Sequence, residues 1–178
     1  MQLSSYTGSS NMSHHEAHEL AVTSYKLCLA LYRNCCYKEA IDHIVEDMKQ
    51  RGGFTALNGR FLSLLMCCKF KNGDVKGAME AYDAGSAIYM YTLGPYHPVH
   101  IVHMLIMADL YYHGKHLLNC HLMLTTAHEL SQTTGSENQL QFVYIVYKLA
   151  CVNYSLARKL KDEYYSVRLE SAFEGFQE

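Results

Sequence analysis

Tryptophan is absent from the 178 residues and proline occurs only twice, so little in the chain forces it out of a helix. Charged residues make up only 18% against 49% hydrophobic, a balance that leaves no driving force for disorder outside the ends. The net charge is −2 and Lys and Arg gather nowhere densely, which sets nucleic acid aside as a partner. No apolar run approaches the roughly 18 residues of a bilayer span, so no membrane is expected. The start, MQLSSYTGSSNMSHHEAHEL, lacks the basic residues and apolar stretch of a secretory signal. Residues 1–12 read as a flexible leader and 13–178 as one domain.

Recognisable catalytic motifs are missing too. The glycines lie singly at turns and form no phosphate loop, and no spacing selects a nucleophile with its base or a pair of carboxylates for acid–base work. His97, His100 and His103 are three apart, but the third has rotated away from the first, so convergence on one metal is not expected. His14, His15 and His18 surround Glu16 without the His-Glu-x-x-His order of a metalloprotease. The expectation is therefore no enzyme, no cofactor and no metal. Seven cysteines are an odd count, with Cys35–Cys36 and Cys67–Cys68 adjacent. Neighbours on a helix point apart and cannot easily bridge. Reduced, buried thiols fit better, in a cytosolic or nuclear protein.

What the chain does contain is helical periodicity. Ser13-His14-His15-Glu16 has the form of a capping box, followed by apolar residues from Leu20 to Tyr32. A break near Asn34–Cys36 leads to a second stripe through Ala40, Ile44 and Met48, ended by Arg51-Gly52-Gly53. Phe61 to Phe70, a turn at Asn72-Gly73-Asp74, and Val75 to Tyr89 repeat the pattern. Pro98 suits the first turn of a third pair, with His97 as its cap and a turn at Gly114-Lys115. Thr134-Gly135 ends that pair. Ser136-Glu137-Asn138-Gln139 opens a helix through Val152, and a last helix is expected from Lys159 to Phe173. That makes eight helices in four pairs. Leu27, Leu65, Ile106 and Leu149 are separated by 38, 41 and 43 residues, as are Ala40, Ala78, Asn119 and Asp162. A near-fixed period of this size marks a helical solenoid. The expected fold is all-α, a right-handed superhelical solenoid of about four helix pairs.

Tyr37-Lys38-Glu39-Ala40, with small Cys28 before it and Ile44 after it, resembles the Tyr-x-x-Ala signature of tetratricopeptide repeats. Asn72 to Ala78 with Tyr82 is similar. The long linker Leu93-Gly94-Pro95-Tyr96-His97-Pro98 resembles that of kinesin light chains. Over a longer stretch, Leu57 to Cys151, the order Gly73 to Ala78, His97-Pro98-Val99, Gly114 and Thr134-Gly135 is similar to the C-terminal helical region of SET-and-MYND-domain lysine methyltransferases. The catalytic SET core and zinc-ligand cysteines of those enzymes are not in this sequence. The resemblance implies a non-catalytic interaction or scaffold domain that holds a peptide or helix on a concave face, or else the regulatory segment of such a methyltransferase. A carboxylate clamp is not expected, because its positions hold Tyr25 and Leu29. The expected peptide-binding residues are Tyr25, Leu29, Arg33, Arg60 and Lys69, an apolar groove with cationic edges. The oligomeric state is left open.

Overall fold

The turns carry the repeat. In the computed structural model, which describes residues 14–51, 53, 55–133 and 139–174, three turns share one hydrogen-bond pattern. Cys35, Gly73 and Lys115 each have positive φ, at 62°, 87° and 61°. The following amides, of Cys36, Asp74 and His116, each donate to the carbonyl five residues back (Leu31, Lys69, Tyr111) at 2.9 Å. A left-handed residue closing such a six-to-one bond satisfies the orphan carbonyls of a helix end and reverses the chain. The turns lie 38 and 42 residues apart, from 35 to 73 and from 73 to 115.

Helices α1 (His14–Arg33), α2 (Tyr37–Arg51), α3 (Ala56–Lys71), α4 (Val75–Thr92), α5 (Pro98–His113) and α6 (Leu117–Thr133) thus form three hairpins, followed by α7 (Gln139–Glu174). Each hairpin packs on the next, and the first helices α1, α3 and α5 lie side by side. The described residues contain no strand. Ser13 and residues 134–138, where two capping starts were expected, lie outside the described residues, as does the leader up to residue 12.

The linkers between hairpins repeat a second device. Asn58 Nδ2 donates to the Gly53 carbonyl at 2.7 Å, and 42 residues on His100 Nδ1 lies 2.9 Å from the Pro95 carbonyl. Thr55 caps α3 by accepting from the Asn58 amide, and His97 caps α5 by accepting from the Val99 amide at 3.2 Å, with Pro98 in the first turn as expected.

Two expectations need correction. The third turn places positive φ at Lys115, whereas Gly114 is in the ordinary right-handed region. Gly114 is there for closeness instead: an added Cβ would stand 2.9 Å from the Phe70 ring. The period is therefore 42, and the small residue equivalent to Ala40 and Ala78 is Cys120, not Asn119; all three are buried. The second correction concerns the fourth pair. No turn follows Val152. α7 runs unbroken for 36 residues, so the described chain has seven helices and Asp162 heads no separate one. Ala157 and Arg158 stand where the turn residues would fall, and both favour the helix. Within α7, Leu140–Tyr164 is also long and apolar enough to cross a membrane by length and composition, although Gln141, Lys148 and Asn153 break any uninterrupted run.

The core's centre is polar. His103 of α5 is 1% exposed. Its Nε2 lies 3.0 Å from the Tyr82 carbonyl, which can only accept, so Nε2 carries the proton. Nδ1 then accepts from the Ser63 hydroxyl at 2.8 Å. Tyr82 stacks on the ring at 4.8 Å, and Gly85 leaves it space, since an added Cβ would come within 2.8 Å. Burial pushes His103 below its ordinary value of 6.5, the Tyr82 bond opposing and His100 assisting. Above 6.5 the group is neutral folded or unfolded, and its environment is fully stabilising. As pH falls through and below that value the unfolded chain binds the proton first, so stability is lost. Thermal melts from pH 7.5 to 5.5 are expected to show a steeper fall for the wild type than for His103→Phe, and parallel curves would count against it.

Candidate peptide-binding surface

Asp47 and Arg51 sit one turn apart near the end of α2, on the same side as buried Ile44. They form an ion pair whose side chains are only 17% and 21% exposed. One oxygen of the carboxylate and one nitrogen of the guanidinium are engaged with each other. The second oxygen, Asp47 Oδ2, and the other nitrogen, Arg51 Nη1, are buried without a hydrogen-bond partner. Unsatisfied buried groups cost about 1–3 kcal/mol each, so the two atoms call for an explanation.

Both residues line a cleft of about 830 Å³ between the first half of α1, the end of α2 and the start of α3. Ala17, Leu20, Ala21, Ala56 and Leu57 supply apolar wall, with His18, Gln50, Thr55 and Asn58 around them. The Arg51 guanidinium also lies 5.2 Å from the centre of the Phe61 ring. Phe61 meets Tyr25 edge-on at 5.4 Å, and Arg60 covers Tyr25 at 4.8 Å. Two cations thus flank one aromatic pair, joining the cleft floor to the surface of the first helices.

Of the five sequence-predicted residues, the structure brings Tyr25 and Arg60 together. Tyr25 and Leu29 are half-buried and pack against the core, while Arg33 is exposed at the end of α1. Lys69 is turned towards the α3–α4 turn, where it pairs with Asp74 at 3.8 Å, and Gly77 gives both room. The sequence reading missed Asp47 and Arg51. The available signal was an Asp-x-x-x-Arg pair on the apolar side of α2, where charge is unusual.

Between α5 and α7 a different polar group is closed on itself. Lys148 Nζ is 2.8 Å from Asp109 Oδ1, and the Tyr144 hydroxyl donates to Asp109 Oδ2 at 2.7 Å. Burial opposes the Lys148 charge, but the hydrogen bonds and charges of Asp109 and Tyr144 outweigh it and hold the ammonium above its ordinary range. The three consecutive histidines divide similarly, with His97 a cap, His100 a linker tie and His103 in the core. No group of metal-ligating side chains occurs among the described residues. Burial also lifts the thiols of Cys67 to about 11, Cys68 to about 12 and Cys120 to about 11, so they stay protonated and weakly nucleophilic. No protein-family model matches the chain, and no curated protein matches it.

Proposed function

We propose that this chain is a non-catalytic protein-interaction domain, a superhelical solenoid of tetratricopeptide-like pairs that holds an extended peptide in the cleft between α1, α2 and α3. One observation carries the reading. Asp47 Oδ2 is an acceptor and Arg51 Nη1 a donor, both without a partner at the floor of an apolar-walled cleft. A peptide group offers the complementary pair, an N–H and a C=O, while its side chains meet the Leu20 and Leu57 walls. Tyr25, Leu29, Arg33 and Arg60 on the first helices would flank the bound segment. The working compartment is the cytosol or the nucleus, in keeping with reduced thiols.

Selection of peptides from a displayed random library tests this. Peptides chosen on the wild type should bind Leu20→Glu at least tenfold more weakly, with its melting temperature unchanged because Leu20 is 57% exposed. Arg33→Glu should weaken them far less. Equal binding by wild type and Leu20→Glu would remove the cleft, and a loss confined to Arg33→Glu would move the site to the first-helix face.

A second reading rests on the residues that resemble the helical region of SET-and-MYND methyltransferases, with the chain as the regulatory segment that narrows a substrate cleft. Its support is local: Gly73 is the left-handed turn residue and His97-Pro98 opens a helix, as that resemblance implies. Calorimetric binding of the cleft peptide to the isolated chain, without a catalytic partner, would favour the interaction domain over it.

A further inference from the structure

We infer that two copies of this chain pair through α7, each supplying the helix that the other's last repeat lacks. The first helices of the repeats have two working sides, and the 42-residue register identifies them. On α5, Ile101, Met104 and Ala108 are buried, and their counterparts 42 residues on are Val143, Val146 and Ala150. Those three are exposed, Val143 at 62% and Val146 at 44%. The other side behaves oppositely. His103, Met107 and Leu110 of α5 and their counterparts Ile145, Leu149 and Val152 are all wholly or partly covered. α7 is therefore bedded on the preceding repeat and open along the side where its own second helix would lie.

The missing helix exists, but it points elsewhere. In register it would begin 42 residues after Leu117, at Lys159, behind a turn whose left-handed residue would be Ala157. Alanine is strained in that conformation and favours the helix, so the segment cannot easily fold back on its own α7. Residues 158–174 continue α7 instead, 17 residues long, the same length as α6. A second copy can deliver that segment. Two α7 helices running antiparallel about a two-fold axis near Ala157 lay the second half of each along the open first half of the other. Leu140, Val143, Tyr147, Ala150, Tyr154 and Ala157 follow spacings of three and four along one side, all exposed, and small Ala157 permits close crossing at the axis. Such an interface is self-complementary and closes on itself. A bilayer suits this helix less well, because Ile145, Leu149 and Val152 are committed to the protein and Arg158, Lys159 and Asp162 crowd the second half.

Sedimentation equilibrium of the full chain at tens of micromolar tests the inference. The wild type should weigh twice the 20.3 kDa of the chain. Val143→Glu with Tyr147→Glu should halve that mass while keeping the melting temperature of the monomeric core, since both positions are exposed. Ala157→Gly with Arg158→Asp, which installs the Gly73-Asp74 turn, should also give a monomer of undiminished helix content. A monomeric wild type overturns the inference. So does a dimer that survives either pair of substitutions, or a wild type that co-sediments with phosphatidylcholine vesicles in place of dimerising. None of these substitutions touches the α1–α2–α3 cleft, so the peptide experiment succeeds or fails independently.

Discussion

Phe61→Ala is expected to lower the unfolding free energy by about 3–5 kcal/mol, a large share of what a domain of this size has. The ring is 0% exposed and faces the preceding repeat, where it is the main contact of Tyr25. Truncation removes the buried ring and leaves a cavity that Cys28, Leu65 and Tyr25 cannot fill without moving α1. It also strips the Arg51 guanidinium of the face it rests on at 5.2 Å. Phe61→Leu keeps most of the volume and should cost roughly half as much. Urea denaturation followed by circular dichroism measures both, and a loss below about 1 kcal/mol for the alanine variant would mean that α1 is not docked on this ring.

Asp109→Ala should be the next most damaging. The Lys148 side chain is 19% exposed and that of Asp109 34%. Removing the carboxylate leaves an ammonium largely out of water between Tyr112 and Tyr144, with the Tyr144 hydroxyl losing its acceptor. Breaking a fully buried pair costs about 3–5 kcal/mol, and the partial exposure of Asp109 reduces that to about 2 kcal/mol. Replacing both partners, Asp109→Leu with Lys148→Met, should recover most of the loss because no uncompensated charge remains. A double-mutant cycle decides the point. Additive effects would show that the pair does not tie α7 to α5.

The helices themselves were legible because apolar spacing and turn residues agree along the chain. Cys28, Ala40, Ile44, Phe61 and Ala78 fall in the core where periodicity puts them. The register beyond α4 was not legible, and the reason is one glycine. Taking Gly114 as the left-handed residue gives a period of 41 and selects Asn119, but the glycine serves close contact with Phe70 and Lys115 takes the strained conformation. The eighth helix was overcounted because apolar residues recur past Val152 whether or not the chain turns, and only the absence of a turn former at Ala157 says that it does not. Of the site, Tyr25 and Arg60 could be read from their surface positions. Asp47 and Arg51 could not, since their meaning depends on the α1 and α3 residues that wall the cleft. Lys69 was assigned to the surface because a pairing with Asp74 across a turn leaves no periodic trace.

The repeat is open at both ends in opposite senses. On α1 the side turned away from the next repeat, Thr23, Leu27 and Ala30, is exposed, and on α7 it is the side turned towards it. Stability in such an array accumulates from neighbour to neighbour, so the hairpin of α3 and α4, enclosed on both flanks, should be the last to open and the terminal helices the first. The same asymmetry governs how the architecture can grow. A further unit of about forty residues joined at either edge would find a ready apolar bed and leave the interior untouched, so lengthening by tandem duplication demands no repacking of what is already there.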